Sequence, residues 1–597
     1  MGYSLKWDLE GIFPGGSQSE KLAAKIKDIK DQLIVYKEEV KGWDVPKTSG
    51  QIDSLQSVLA KTEKLEKAVS QVVAFLECAT AQDVHDTKAD QLNGEIYSII
   101  SEFETAVTGF TLKLVRIDEE LWQEILAAPG LKEISFYLNE KRELAKEQLS
   151  EEEEALINAL RVDGYQGWST HYDTIVKMIQ IPFTNEDGET VMLSAGQAFN
   201  KMSDDPDEGV RADLFKKWEK AWSEKAPLFA DTLNHLGGFR LANYKAHGVE
   251  DFMKEPLQYN RMKKETLDVM WKVISNNKQP FVDFLNRKAK LLGKEKLSWV
   301  DVDAPIVTTE PKHYSFDEGA QFIIENFAKF GNELPKFAEE AFEKAWIEAE
   351  DRPGKRPGGF CTSFPETNES RIFMTYAGSP SGVATLAHEL GHAFHSHVLD
   401  EKPFFNTGYA MNVAETASTF AEMICSDASV REAQSKEEKI TLLDTKMQNA
   451  IAMFMNIHAR FIFESNFYKE RQQGLVSAER LNELMEEAQR ESYQDCLSEY
   501  HPSFWASKLH FYIAEVPFYN FPYTFGYLFS LGIYNLSLKE GKSFEKKYIA
   551  LLQDTASMST EDLAMKHLGV DLTKPDFWQA GVDLVIEDVK EFLSLTE

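Results

Sequence analysis

Two histidines four residues apart, with a glutamate beside the first, form the segment of this 597-residue chain that points most directly to chemistry: His388-Glu389-Leu-Gly-His392. On a helix, residues four apart share a face, so His388 and His392 can offer both imidazoles to one metal ion while Glu389 faces the same cleft. The neighbours Val383, Ala384, Leu386, Ala387, Ala393 and Phe394 are small or apolar and predict a buried helix. Such a helix has little reason to carry His-Glu-His without a ligand or polar partners. The expected ion is zinc, one per chain, whose catalytic sites take three protein ligands and keep one position open. A third histidine six residues after His392 is excluded, because position 398 is Val. The apolar segment 410–422 carries Glu415 and Glu422, seven residues apart and on one helical face. Glu415 is the favoured third ligand. Glu422 reads either as a carboxylate that orients a ligand imidazole or as a surface acid. His395 is expected to be a packed, hydrogen-bonded histidine and His397 to be exposed.

Zinc lowers the pKa of bound water towards ~7, and Glu389 can then accept its proton as general base and pass it to a leaving amine. Hydrolysis of a peptide bond fits this equipment. A second group of donors lies in His510-Phe-Tyr-Ile-Ala-Glu-Val-Pro-Phe-Tyr519-Asn-Phe-Pro-Tyr523-Thr-Phe-Gly-Tyr527, where hydroxyls and an imidazole could serve an oxyanion. By composition alone the same run reads as aromatic core.

The elements that must hold these residues are mostly helices. Apolar positions recur at three- and four-residue spacing over 51–81, 92–110 and 117–126, the last stopped by Pro129-Gly130, and Ser150 before a glutamate run predicts a capped helix start. Extended runs flank a turn at 185–188, predicting a hairpin within 177–194, and a further strand is expected at 371–376 after the Pro/Gly-rich loop 352–360. The fold class is therefore mainly α, divided into an N-terminal helical region, 1–190, and a metal-binding catalytic region, 191–597. With 65 Lys and Arg against 97 Asp and Glu, the net charge of −32 speaks against nucleic-acid partners. Four scattered cysteines, no apolar run of membrane-spanning length and a charged N-terminus predict a cytoplasmic chain with no membrane partner.

HELGHAFH, the later ETASTFAE, HFY followed by PFYNFPYTFGYLFS, the opening WDLEGIFPGG and the stretch 155–164 together resemble the M3 family of zinc metallopeptidases, in its oligoendopeptidase F branch. The resemblance spans nearly the whole chain. It implies a two-lobed helical body with a deep channel, zinc at its floor, and endopeptidase action on short peptides. It also implies His388, His392 and Glu415 as zinc ligands, Glu389 as base, and His510, Tyr519 and Tyr527 as donors to the substrate carbonyl, with Tyr519 and Tyr523 as alternatives for one of these places. The run 371–376 would be an edge strand to which substrate adds. Two other readings stand beside it: a zinc carboxypeptidase on a similar helical body, and a non-catalytic peptide-binding scaffold with a structural zinc.

Overall fold

The computed structural model describes residues 2–185, 187–306 and 312–597, so Glu186, in the expected turn, lies outside the described residues. Apolar spacing sets the N-terminal helices. Ile52–Gln82 buries Leu55, Val58, Leu65, Val69 and Val72 on one side, and Thr87–Leu114 begins at Asp86, whose carboxylate accepts the N–H groups of Lys88 and Ala89. Glu119–Ala127 ends just before Gly130, whose φ of +80° turns the chain. At Ser150 the hydroxyl accepts from Glu153 N–H at 3.3 Å and Glu153 accepts from Ser150 N–H at 3.1 Å, a reciprocal cap that starts the helix Glu151–Arg161. Strands β1 (Gln180–Thr184) and β2 (Thr190–Ser194) pair antiparallel, with Ile181 opposite Leu193.

Buried apolar side chains gather in two clusters. One runs from Trp7 to Leu138 and recruits Phe364, Phe373 and Phe405; the other extends from Tyr165 to Phe592. A small sheet joins them. Its strands β3 (Ile347–Glu348), β4 (Phe360–Phe364) and β5 (Glu369–Phe373) lie in the order β3-β5-β4, β5 being parallel to β3 and antiparallel to β4. This corrects the expectation of an edge strand at 371–376. Ser370, Arg371, Ile372 and Phe373 are buried in succession, as in a strand covered on both faces and paired on both sides, and the buried Arg371 guanidinium is satisfied by the Asp8 carbonyl at 2.7 and 2.9 Å. The edges belong to β3 and to β4, the latter leaving the Pro/Gly-rich loop through Gly358, at φ +93°.

Three helices form the centre of the larger cluster. The histidine helix, Pro380–Leu399, starts at Ser379, which accepts the Gly382 N–H at 3.0 Å, and has proline at its first position. The carboxylate helix, Met411–Glu432, lies between it and the aromatic helix, Phe521–Glu540. Glycine sets both contacts. A methyl on Gly391 would fall 2.5 Å from the Ala417 carbonyl oxygen and 2.6 Å from Ser418 Cα, and one on Gly526 would lie 2.9 Å from Glu415 Cβ. Because the first obstacle is backbone, Gly391→Ala must push two helices apart, and it is expected to cost about 1–3 kcal/mol, read as a lowered midpoint of thermal unfolding.

Candidate metal site

The histidine helix puts His388 and His392 one turn apart, with ring centroids 4.9 Å from each other and planes at 80°. The carboxylate helix crosses them so that Glu415 Oε2 lies 3.3 Å from His388 Nε2 and 3.5 Å from His392 Nε2. One nitrogen from each imidazole and one Glu415 oxygen lie within 4.8 Å of one another, a set able to hold a metal ion. These side chains are 20–25% exposed, so the set is reachable. Glu422, two turns further along, stands elsewhere: its Oε2 accepts from His388 Nδ1 at 2.9 Å and touches neither Nε2. That bond fixes the His388 tautomer and turns Nε2 towards Glu415. The Ser418 hydroxyl donates to Glu415 Oε2 at 2.6 Å.

Glu389 is 7% exposed, and its Oε2 is buried without a partner among the described residues. Burial pushes its carboxyl up to about 7; the His388 charge opposes this, while Glu415 and Glu422 add to it. Its other oxygen faces the backbone before β4, where a Cβ on Gly359 would lie 3.4 Å from Oε1. Burial disfavours charge on His388, but Glu415 and Glu422 outweigh it and raise that group to about 10; His392, with less compensation, is held at about 4. Burial would raise Glu415, yet the His388 hydrogen bond and the two imidazoles bring it down to about 2. A partnerless buried carboxyl beside two imidazoles and a carboxylate is a donor set that suits a divalent cation with an open position. His395 is fully buried, 2.9 Å from Thr555 Oγ1 and stacked on Tyr409 at 4.1 Å, and His397 is exposed.

The aromatic segment supplies a second cluster. His510 and Tyr519 have ring centroids 5.3 Å apart, His510 and Tyr523 6.2 Å, and Tyr519 and Tyr523 5.9 Å. Tyr527 is outside this group: it is 8% exposed and meets Phe454 edge-on at 5.6 Å. Residues not anticipated from the sequence hold the segment in place. Arg240 donates to the carbonyls of Ala514 at 2.9 Å and Ile513 at 3.3 Å, Tyr165 donates to the Ala514 carbonyl, and Ser169 donates to that of Tyr512 at 2.5 Å. Phe518, just before Tyr519, adopts φ +54°, and its N–H donates at 3.0 Å to Glu464, a buried carboxyl pushed up to about 7 by burial. The available signal was a single charge inside an apolar run, as in Gly238-Phe-Arg240-Leu-Ala and Phe461-Ile-Phe-Glu464.

With this geometry in view, the comparisons are direct. Residues 201–584 match Peptidase family M3, and residues 113–180 match Oligopeptidase F. The chain belongs to peptidase family M3 and is a metallopeptidase. Among its relatives, Oligopeptidase PepF of Bacillus subtilis (strain 168) is 22% identical over 601 residues, covering 99% of this chain and 87% of the relative. An oligoendopeptidase F homolog of Lactococcus lactis subsp. lactis (strain IL1403) is 24% identical over 608 residues, covering 99% and 97%. A solved chain from Chlamydophila abortus has the same fold, with a TM-score of 0.83 and 20% identity over 99% of this chain and 98% of that one. Oligoendopeptidase-F from Enterococcus faecium gives 0.70 and 18% over 96% and 99%.

Since Glu415 alone of the two acids reaches both Nε2 atoms, Glu415→Ala is expected to leave less than about a tenth of the bound divalent metal after dialysis. Glu422→Gln is expected to keep the metal at about 10–100-fold weaker affinity. Elemental analysis and competition with a chelator measure the two effects.

Proposed function

We propose that this chain is a zinc-dependent endopeptidase that hydrolyses internal bonds of short peptides. The observation that carries the reading is the Glu389 carboxyl, buried and without a partner beside the His388, His392 and Glu415 set. The names of the relatives, oligopeptidase and oligoendopeptidase, support the substrate class.

His388, His392 and Glu415 would hold the ion, with Glu422 keeping His388 in the required tautomer. When bound, zinc supplies Lewis acidity that polarises a carbonyl and acidifies water at the site. Glu389 accepts the proton of the attacking water and returns it to the leaving amine, and its desolvated carboxyl suits both tasks near neutral pH. The phenols of Tyr519 and Tyr523 and the His510 imidazole donate to the oxygen that gains charge as the carbonyl becomes tetrahedral. The outer edge of β4 is the place where a substrate backbone would add as a further strand, because its start lies against Glu389 and the strand order leaves that edge unpaired among the described residues. Recognition through backbone groups tolerates many side chains, as an enzyme acting on mixed peptides requires.

Glu389→Gln is expected to keep zinc and fold while turnover of an internally quenched peptide with an amidated C-terminus falls ~10³-fold or more. Near-normal turnover in that variant would remove Glu389 from the mechanism, and cleavage confined to peptides with a free terminus would favour a carboxypeptidase. Tyr519→Phe and Tyr523→Phe are expected to lower kcat by about 10²–10³ in whichever is the principal donor, with little change in KM. Tyr527→Phe is expected to leave kcat within about threefold of the parent; single-turnover kinetics on the three variants separates the roles.

A further inference from the structure

Two cations near His510 take no part in the proposed hydrolysis. Arg460 stands on the helix Ile457–Arg471, directly after a π-helical turn at Ala452–Asn456, and Lys508 immediately precedes the turn Leu509–Phe511 that carries His510. Both lie over the ring of Phe504, the guanidinium carbon 5.3 Å and the Lys508 Nζ 5.1 Å from its centroid, and Nζ is also 5.3 Å from the ring of Phe199. The π turn is what presents Arg460: Asn456 accepts from its Nε at 2.7 Å, Asn520 accepts from Nη1 at 3.0 Å, and Thr524 of the aromatic helix satisfies the freed Met453 carbonyl at 2.6 Å. These partners are neutral amides and rings.

Neither cation forms an ion pair with a described residue, yet both keep part of their surface exposed. Burial and the Arg460 charge bring the Lys508 ammonium down to about 7, with Asp303 opposing, and burial brings Arg460 down to about 10. Both charges also disfavour a proton on His510, after burial. Lys508 lines a pocket of about 320 Å³ together with Trp218, Trp299 and Phe504, while Asp173, also in its lining, is exposed to solvent. Two desolvated like charges are costly unless an anion compensates them, and an apolar pocket with a few convergent polar groups is the usual form of a ligand site. The chain as a whole repels anions at −32, so recognition of an acidic group requires such a local exception.

We propose that Arg460 and Lys508 form a carboxylate-binding subsite, in which the anionic group of a bound peptide docks against the guanidinium and ammonium while the adjoining apolar residue enters the pocket at Trp218 and Trp299. This rests on the peptidase reading for the class of ligand. The subsite adjoins the phenol cluster: Lys508 stands two residues before His510, whose ring lies 5.3 Å from that of Tyr519 and 6.2 Å from that of Tyr523. The carboxylate has two sources, a free peptide terminus or an Asp or Glu side chain.

Four fluorophore-tagged peptides of one short sequence distinguish them: a C-terminal carboxylate, its amide, and two amides carrying Glu or Gln near the end. Their binding is measured by anisotropy on the full chain with its metal chelated, so that affinity is read without cleavage, and turnover of the same peptides with zinc tests the peptidase reading separately. At least one carboxylate peptide is expected to bind about tenfold more tightly than its neutral counterpart, the free-terminus pair or the Glu–Gln pair identifying the source. Arg460→Gln and Lys508→Gln are each expected to reduce that ratio to below about threefold, and Arg460→Lys to retain part of it. Being a ratio of two ligands on one protein, it is unchanged by a partial loss of folded material, and either substitution alone suffices. Equal affinity for all four peptides in the parent chain, or a preference that survives both substitutions, overturns the subsite even if every peptide is cleaved.

Discussion

The close crossing of the histidine and carboxylate helices is the constraint on which the site depends. At Gly391 the two backbones approach so nearly that a single added carbon would sit 2.5 Å from a carbonyl oxygen. This brings the Glu415 carboxylate to both imidazoles while leaving Glu422 on His388 Nδ1. Gly526 repeats the device on the other side and lets the aromatic helix press against Glu415. A carboxylate held between two helices in this way has few rotamers left, so its position is settled before any ligand arrives. The glycines within His388–His392 and ahead of Tyr527 thus serve distance rather than flexibility.

Charge is distributed by the same logic. The acidic excess of −32 belongs mainly to exposed helix faces, where water screens it, whereas the centre places two imidazoles among two carboxylates, Glu415 and Glu422, at hydrogen-bond or near-contact range. Glu389 is the exception, a carboxyl with a buried oxygen and no donor. Arg460 and Lys508 are its cationic counterparts near His510, contacting neutral amides and rings, with Asp303 the acid whose charge reaches Lys508. Groups left unbalanced inside a folded chain are expensive, and such groups concentrate at functional sites.

The histidine pair was legible because its geometry is local: residues four apart on a helix share a face whatever the rest of the fold does. The mainly helical architecture was legible for the same reason, from the periodicity that became Ile52–Gln82 and Thr87–Leu114. Strand pairing is not local. The run at 371–376 was recognisable as extended, and its first three residues fall in β5, but nothing within it told that β3 and β4 would flank it, and β4 was hidden behind the glycines and prolines of 352–360. Among the tyrosines, the left-handed Phe518 interrupts any helical count, so spacing did not reveal that Tyr523, rather than Tyr527, would meet His510.

The sequence by itself determined the relative placement of His388, Glu389 and His392, which their spacing carries, and it determined the helices that bear them. The sequence favoured Glu415 over Glu422, and tertiary structure supplied the distances, bringing Glu415 to both imidazoles and Glu422 to His388 Nδ1 only. They occupy one helical face two turns apart, and only the crossing at Gly391 sets which turn lies level with the Nε2 atoms. Tertiary structure alone decided that Arg240 and Glu464, 274 and 54 residues before their partners Ala514 and Phe518, would hold the phenol segment. Contacts over such separations depend on how whole helices pack, and no window of neighbouring residues encodes that.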